Sequence, residues 1–146
     1  MVGISRGTFR LTLLTPKAKL LDCRAGSIVL PFEDGQWGIL RNHCPTLAKL
    51  GQGVMQVREI PDRGDAFYIL EGGFVRVSDN NITVLAYDVL TFENMPEDHV
   101  LELVSRAKSV MVGAEYIRTQ LQQVDYQRSR LIVRMAELTD ILSPDS

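Results

Sequence analysis

The repeat of apolar residues along this chain changes length once, between Tyr87 and Asn94, and the change decides what each part can become. Before it, apolar and polar residues alternate; after it, apolar residues return every three or four. A period of two belongs to a strand with one buried face, and a period near 3.5 to a helix that packs on another helix. The expected fold is therefore an antiparallel β-sandwich or flattened barrel over residues 1–88, followed by a helical hairpin over 89–146. No internal repeat or low-complexity run competes with that division.

Residues 8–14 set Phe9, Leu11 and Leu13 against Arg10 and Thr12, and Pro16 ends the run. Two further strands are expected at 18–23 and 27–30, with a tight turn at Glu33, Asp34 and Gly35. Residues 54–60 and 67–70 flank a Pro-Asp-Arg-Gly-Asp loop at 61–65, and 74–77 and 82–86 flank Ser78, Asp79, Asn80 and Asn81. Each pair reads as a hairpin, because Asn, Asp and Gly tolerate the left-handed conformations that short turns require. Val75 and Val77 are expected to share a face, as are Ile82, Val84 and Ala86.

The first helix starts at Asn94, Met95, Pro96 and Glu97, with Asn94 expected as its cap. Val100, Leu103, Val104, Ala107, Val110, Met111 and Ala114 follow at steps of three and four, and Gly113 marks the expected break. A second helix, about 115–142, carries the seam Ile117, Leu121, Val124, Arg128, Leu131, Met135, Leu138 and Leu142, in which Arg128 is the one charged member. An arginine there either reaches water from the edge of the seam or limits the stability of the hairpin.

Residues 35–53 fit neither period, since apolar residues come singly or in pairs between glycines around an Arg-Asn-His-Cys-Pro centre. Short strands joined by tight turns are favoured there. Spacing alone places Trp37, Ile39 and Leu47 in the core; a long loop set in a rigid β domain is also where a contact surface is expected.

Composition excludes several classes of function. A net charge of −2 and a pI near 5.7 give no basic footprint for nucleic acid. Apolar runs of a few residues fall far short of the ~20 needed to span a membrane. The N-terminus has no apolar segment behind a basic one, so residence in the cytosol or an organelle's equivalent is expected. Cys23 and Cys44 lack disulfide-framework or metal-site spacing and are expected to be reduced and partly buried. His43 and Cys44, adjacent on an extended chain, would point to opposite faces and share no proton; His99 is expected in solvent. No phosphate loop, nucleophile elbow or metal pattern occurs, so neither catalysis nor a cofactor is expected.

Two linked motifs carry a resemblance. Gly35-Gln36-Trp37-Gly38-Ile39 is followed by Asn42-His43-Cys44-Pro45-Thr46-Leu47, and Gly72-Gly73-Phe74-Val75-Arg76-Val77 by Asn81-Ile82-Thr83-Val84-Leu85-Ala86. Both are similar to the epsilon subunit of F-type ATP synthases, called delta in mitochondria, in order and spacing, and the resemblance extends from about Phe9 to Leu138. It implies a ten-stranded β-sandwich with a C-terminal helical hairpin, acting as a non-catalytic subunit of the rotating central stalk. The implied partners are the gamma subunit and the polar loops of the membrane c-ring, the latter facing Gln36, Trp37, Arg41, Asn42 and His43. In many bacterial members the helices also restrain ATP hydrolysis, which would bring Arg128, Arg130 and Arg134 to the catalytic head formed by alpha and beta. The implied location is peripheral, on the cytoplasmic face of a bacterial inner membrane.

The sequence departs from the family at two places. Some members bind ATP through an Ile/Leu-Asp-x-x-Arg-Ala motif, but here Leu103 stands three residues before Arg106, and nucleotide binding is not carried over. Gln36 stands where members often have Glu, which leaves no carboxylate for an ion pair with the ring. From outside this family, the alternative is a ligand- or carbohydrate-binding sandwich with Trp37 as stacking platform.

Overall fold

The computed structural model describes residues 7–112 and 120–139. Eight strands form one hydrogen-bonded sheet: β1 (Phe9–Leu14), β2 (Lys19–Ala25), β3 (Ser27–Phe32), β4 (Gly35–Leu40), β5 (Thr46–Ile60), β6 (Gly64–Ser78), β7 (Asn81–Ala86) and β8 (Val89–Leu90). Their order is β2-β1-β7-β6-β5-β3-β4, with β8 beside β6. All neighbours are antiparallel except β1 and β7.

The path closes into a sandwich because β5 and β6, fifteen residues each, belong to both layers. The first half of β5 and the second half of β6 continue into β7, β1 and β2. Their other halves carry β3, β4 and β8. Counted by layer, the two long strands contribute twice, and the ten strands implied by the resemblance are these eight.

Side-chain parity records the crossing. In β5, Leu50 and then Met55 and Val57 face the core; in β6, Ala66, Tyr68 and Leu70 do so before Val75 and Val77. An odd interval separates Leu50 from Met55 and Leu70 from Val75, so each strand switches its inward face at the corner. Glycines make the corner possible. A Cβ on Gly73 would collide with the carbonyl oxygen of Leu85, and one on Gly53 would lie 2.5 Å from Cβ of Pro31.

The core takes Phe9, Leu11 and Leu13 from β1, Ile82, Val84 and Ala86 from β7, and Ile28, Leu30 and Ile39 from β3 and β4. The expected alternations hold in β1 and β7, and at Val75 and Val77 of β6. The β6–β7 turn has Asp79 at φ 50° and Asn80 at φ 60°, the paired left-handed residues of a type I′ hairpin. Across the β5–β6 hairpin, Asp65 accepts from the Glu59 backbone N–H (3.1 Å) where Glu59, at φ 58°, bulges the strand.

A second compact unit begins at Thr91, just after β8 pairs with β6. It holds α1 (Glu97–Val112) and α2 (Gln120–Leu138), which pack on each other. Glu97 and Asp98 place negative charge at the start of α1, where the helix dipole favours it. Asn94 does not cap this helix. It sits at φ 60° in a turn closed by Met95 N–H to Phe92 O (3.1 Å), and Pro96 supplies the carbonyl for the first helical bond, from Val100 N–H (3.1 Å).

The expected seam of α2 is rotated. Ser129, Ile132, Met135 and Ala136 are buried, whereas Val124 and Arg128 are exposed and Leu131 is half-buried. Small Ser129 and Ala136 permit close approach that a heptad reading based on large residues passes over. Ile117, Leu142 and the break at Gly113 lie outside the described residues.

Candidate functional site

The residues singled out between 35 and 53 are mostly at the surface, and their exposure comes from the edge position of β4. Trp37 is 51% exposed, its inner part against Phe32 with ring centroids 4.9 Å apart. Leu47 is 77% exposed; Ile39 alone of the expected core trio is buried. Gln36 and Trp37 stand at the start of β4 beside the Glu33–Asp34 turn, while Arg41, Asn42 and His43 follow its end. Gln36 and Arg41 are five strand steps apart, about 16 Å at ~3.3 Å each, so these residues make an extended rim rather than a pocket.

One end of that rim is fixed by a pair of asparagines. Asn42, at φ 67°, donates its backbone N–H to Oδ1 of Asn80 (2.6 Å), and Nδ2 of Asn80 donates to Oδ1 of Asn42 (3.0 Å). The loop is thereby tied to the β6–β7 turn, and its neighbour Arg41 lies against Gly7. The same turn brings His43 and Cys44 closer than an extended chain would. Their Nδ1 and Sγ atoms are 4.0 Å apart, and Cys44 is exposed rather than partly buried. Nδ1 is taken by the Cys44 carbonyl oxygen at 2.9 Å, to which it donates in the Nδ1–H tautomer, leaving no base directed at the thiol.

A second surface escaped the sequence analysis. On the outward side of the β1-β7-β6-β5 layer, Leu14, Leu85 and Phe74 stand opposite one another across three strands. Phe74 is 42% and Leu85 40% exposed, and Tyr87 meets Phe74 edge-on at 6.3 Å. Leu47 lies one row away, opposite Arg76. The signal was present in the alternation itself: Phe74 and Leu85 are apolar at positions out of phase with buried Val75 and Val84, where a solvated face would be polar.

Charge around this row is largely paired. Asp22 accepts from Arg10 at 3.0 and 3.1 Å and from Lys19 at 3.2 Å, and these bonds, Arg10's first, hold its carboxyl below the usual range and raise Arg10. Lys49 pairs with Glu33 at 3.3 Å. Elsewhere, Arg58 bonds Asp65 at 2.7 Å and lies 4.9 Å from the Phe67 ring centroid.

The helical unit offers a cleft of about 270 Å³ lined by Met95, His99, Glu102, Leu103 and Arg106. Arg106 is drawn to Glu102 at 2.7 Å within it. On α2, Arg128, Arg130 and Arg134 are all exposed, with Arg130 over the Tyr126 ring at 5.9 Å. Among the described residues no three His, Cys, Asp or Glu gather to hold a metal ion, and no helix is long and apolar enough to cross a membrane.

Comparison with known proteins bears on these surfaces. Residues 8–91 match the beta-sandwich domain of the ATP synthase delta/epsilon chain. The chain is 34% identical over 130 residues to the ATP synthase epsilon chain of Symbiobacterium thermophilum, covering 86% of each. It is 28% identical over 128 residues to the chloroplastic epsilon chain of Chlamydomonas reinhardtii, covering 84% of this chain and 91% of that one. Its fold is similar to a chain in the OSCP/F1/c-ring structure of the Euglena gracilis mitochondrial ATP synthase, with TM-score 0.62 and 18% identity, over 90% of this chain and 81% of that one.

Proposed function

The chain belongs to the ATP synthase delta/epsilon family, and on that premise we propose that it is a non-catalytic subunit of the enzyme's rotating central stalk. The outward row Leu14, Leu85 and Phe74 carries the reading. Fully burying an apolar side chain of this size contributes about 1.5–3 kcal/mol, so a row of three with Tyr87 beside it is a substantial anchor for a protein partner. The gamma subunit is that partner, and the sandwich is held on it by this face.

The rim of Gln36, Trp37, Arg41, Asn42 and His43 faces the polar loops of the c-ring. Its length of about 16 Å suits several small loops presented side by side better than a single ligand. The exposed Arg128, Arg130 and Arg134 of α2 meet acidic groups of the alpha/beta head and restrain ATP hydrolysis. In this placement the protein transmits torque between ion flow and catalysis while bonding to no substrate. It rests peripherally on the cytoplasmic face of a bacterial inner membrane.

Arg41→Glu combined with His43→Glu tests the ring-facing placement in the reconstituted complex. Two new negative charges should weaken ATP-driven ion pumping in vesicles while gamma affinity stays within twofold of wild type. Pumping at the wild-type rate would refute it.

A further inference from the structure

The apolar row has a cationic border, although the whole chain is net negative at −2. Arg10, Lys19, Arg24, Lys49 and Arg76 belong to this face, against Asp22, Glu33 and Asp79 around it. Arg10 and Lys19 share Asp22, Lys49 has Glu33, and Arg24 donates to Oγ1 (2.7 Å) and O (3.0 Å) of Thr8. Arg76 is different. It is exposed, opposite Leu47 on one side and Thr83 on the other, and its guanidinium takes part in no ion pair or hydrogen bond with the described residues.

Arg76 also opens onto a polar cleft of about 260 Å³ whose other walls are Ser78, Asp79, Asn81 and Thr83. Ser78 and Thr83 are hydroxyl-bearing residues that line the cleft with Arg76, and Asn81 is oriented by its own Nδ2 bond to the Asp79 carbonyl oxygen (3.1 Å). A planar guanidinium with flanking hydroxyls suits a carboxylate, which can accept two parallel N–H bonds and further bonds from the hydroxyls. Asp79 narrows the choice, since its charge disfavours a bulky polyanion and leaves room for a single carboxylate held on the Arg76 side.

We propose that the cleft of Arg76, Ser78 and Thr83 is the seat for one aspartate or glutamate side chain of the subunit docked on the Leu14–Leu85–Phe74 row. The inference rests on the docking reading above and adds the chemistry of the partner: an apolar surface with an acidic residue placed one strand row from its centre. The row supplies most of the affinity. The seat fixes register, because a charge one row out of place would meet Phe74 instead.

The test measures the affinity of purified gamma for the full chain at low and high salt, with Arg76→Glu, Arg76→Lys and Phe74→Asp. Arg76→Glu should weaken binding about tenfold or more at low salt, with a smaller effect at high salt. Arg76→Lys should recover most of the loss, and Phe74→Asp should weaken binding at both salts. Replacing the partner's seated carboxylate by lysine should restore the affinity of Arg76→Glu. If Arg76→Glu binds within twofold of wild type while Phe74→Asp is impaired, the docking face stands and the seat is overturned. If both variants bind like wild type, the docking face itself is wrong and the seat falls with it. Circular dichroism of each variant, expected unchanged for these exposed positions, separates lost docking from lost folding.

Discussion

Gly73 is the residue with the least freedom in the sandwich. Its φ is 142°, and a Cβ there would strike the backbone of β7 rather than a side chain that could move aside. Gly73→Ala should therefore destabilise the chain by more than ~3 kcal/mol, read as a lower urea midpoint; a shift below ~1 kcal/mol would show that β6 and β7 can separate freely. Asp65 makes a smaller contribution that depends on pH. Its carboxyl is held below the usual range, first by the Arg58 hydrogen bond and then by the Glu59 N–H. A folded-state value below the unfolded one gives stability that is present at neutral pH and disappears as pH falls through the folded value, from about pH 4 downward. With the side chain 41% exposed, the pair is worth less than about 1 kcal/mol. Asp65→Asn should lower the neutral-pH midpoint slightly and flatten the acid limb of a pH–stability profile; an unchanged acid limb would remove the pair from the account.

The elements were readable where one residue type answers to one demand. Phe9, Leu11 and Leu13 alternate because one face of β1 is buried, and Asp79 with Asn80 announces the left-handed turn between β6 and β7. Legibility failed where an element serves two environments. β5 and β6 change inward parity at a glycine corner, so a strand pattern read in short windows breaks into pieces that the fold joins. On α2 the buried stripe runs through Ser129 and Ala136, whose smallness carries no hydrophobic signal, and Arg128 is left in solvent. The candidate surface was half legible: the glycine-rich rim drew notice by its composition, whereas Phe74 and Leu85 passed as ordinary strand residues despite facing outward. At this level, every member of the sandwich core precedes residue 91, and β8 is its last strand. A chain ended after Leu90 should unfold in one cooperative transition and bind gamma within a fewfold of the full chain. A folded product with background affinity would move the gamma contact to the helices.

Seen whole, the protein directs its chemistry outward. Among the described residues, most charges bordering the apolar row are paired, His43 Nδ1 is engaged by a backbone carbonyl oxygen, and the conspicuous features left for a partner are the apolar row and the Arg76 guanidinium on one face of the sandwich. Such a surface fits the proposed role, in which the sandwich is held by one partner and holds another. The most direct measurement replaces Phe74 by the photo-crosslinking analogue benzoylphenylalanine in the assembled ATP synthase, where the aromatic body keeps the shape of the row. Irradiation should join this subunit to gamma as the main product, and the same analogue at Trp37 should yield adducts with the c-subunit. A Phe74 variant that assembles into the complex yet gives no adduct with gamma would contradict the account.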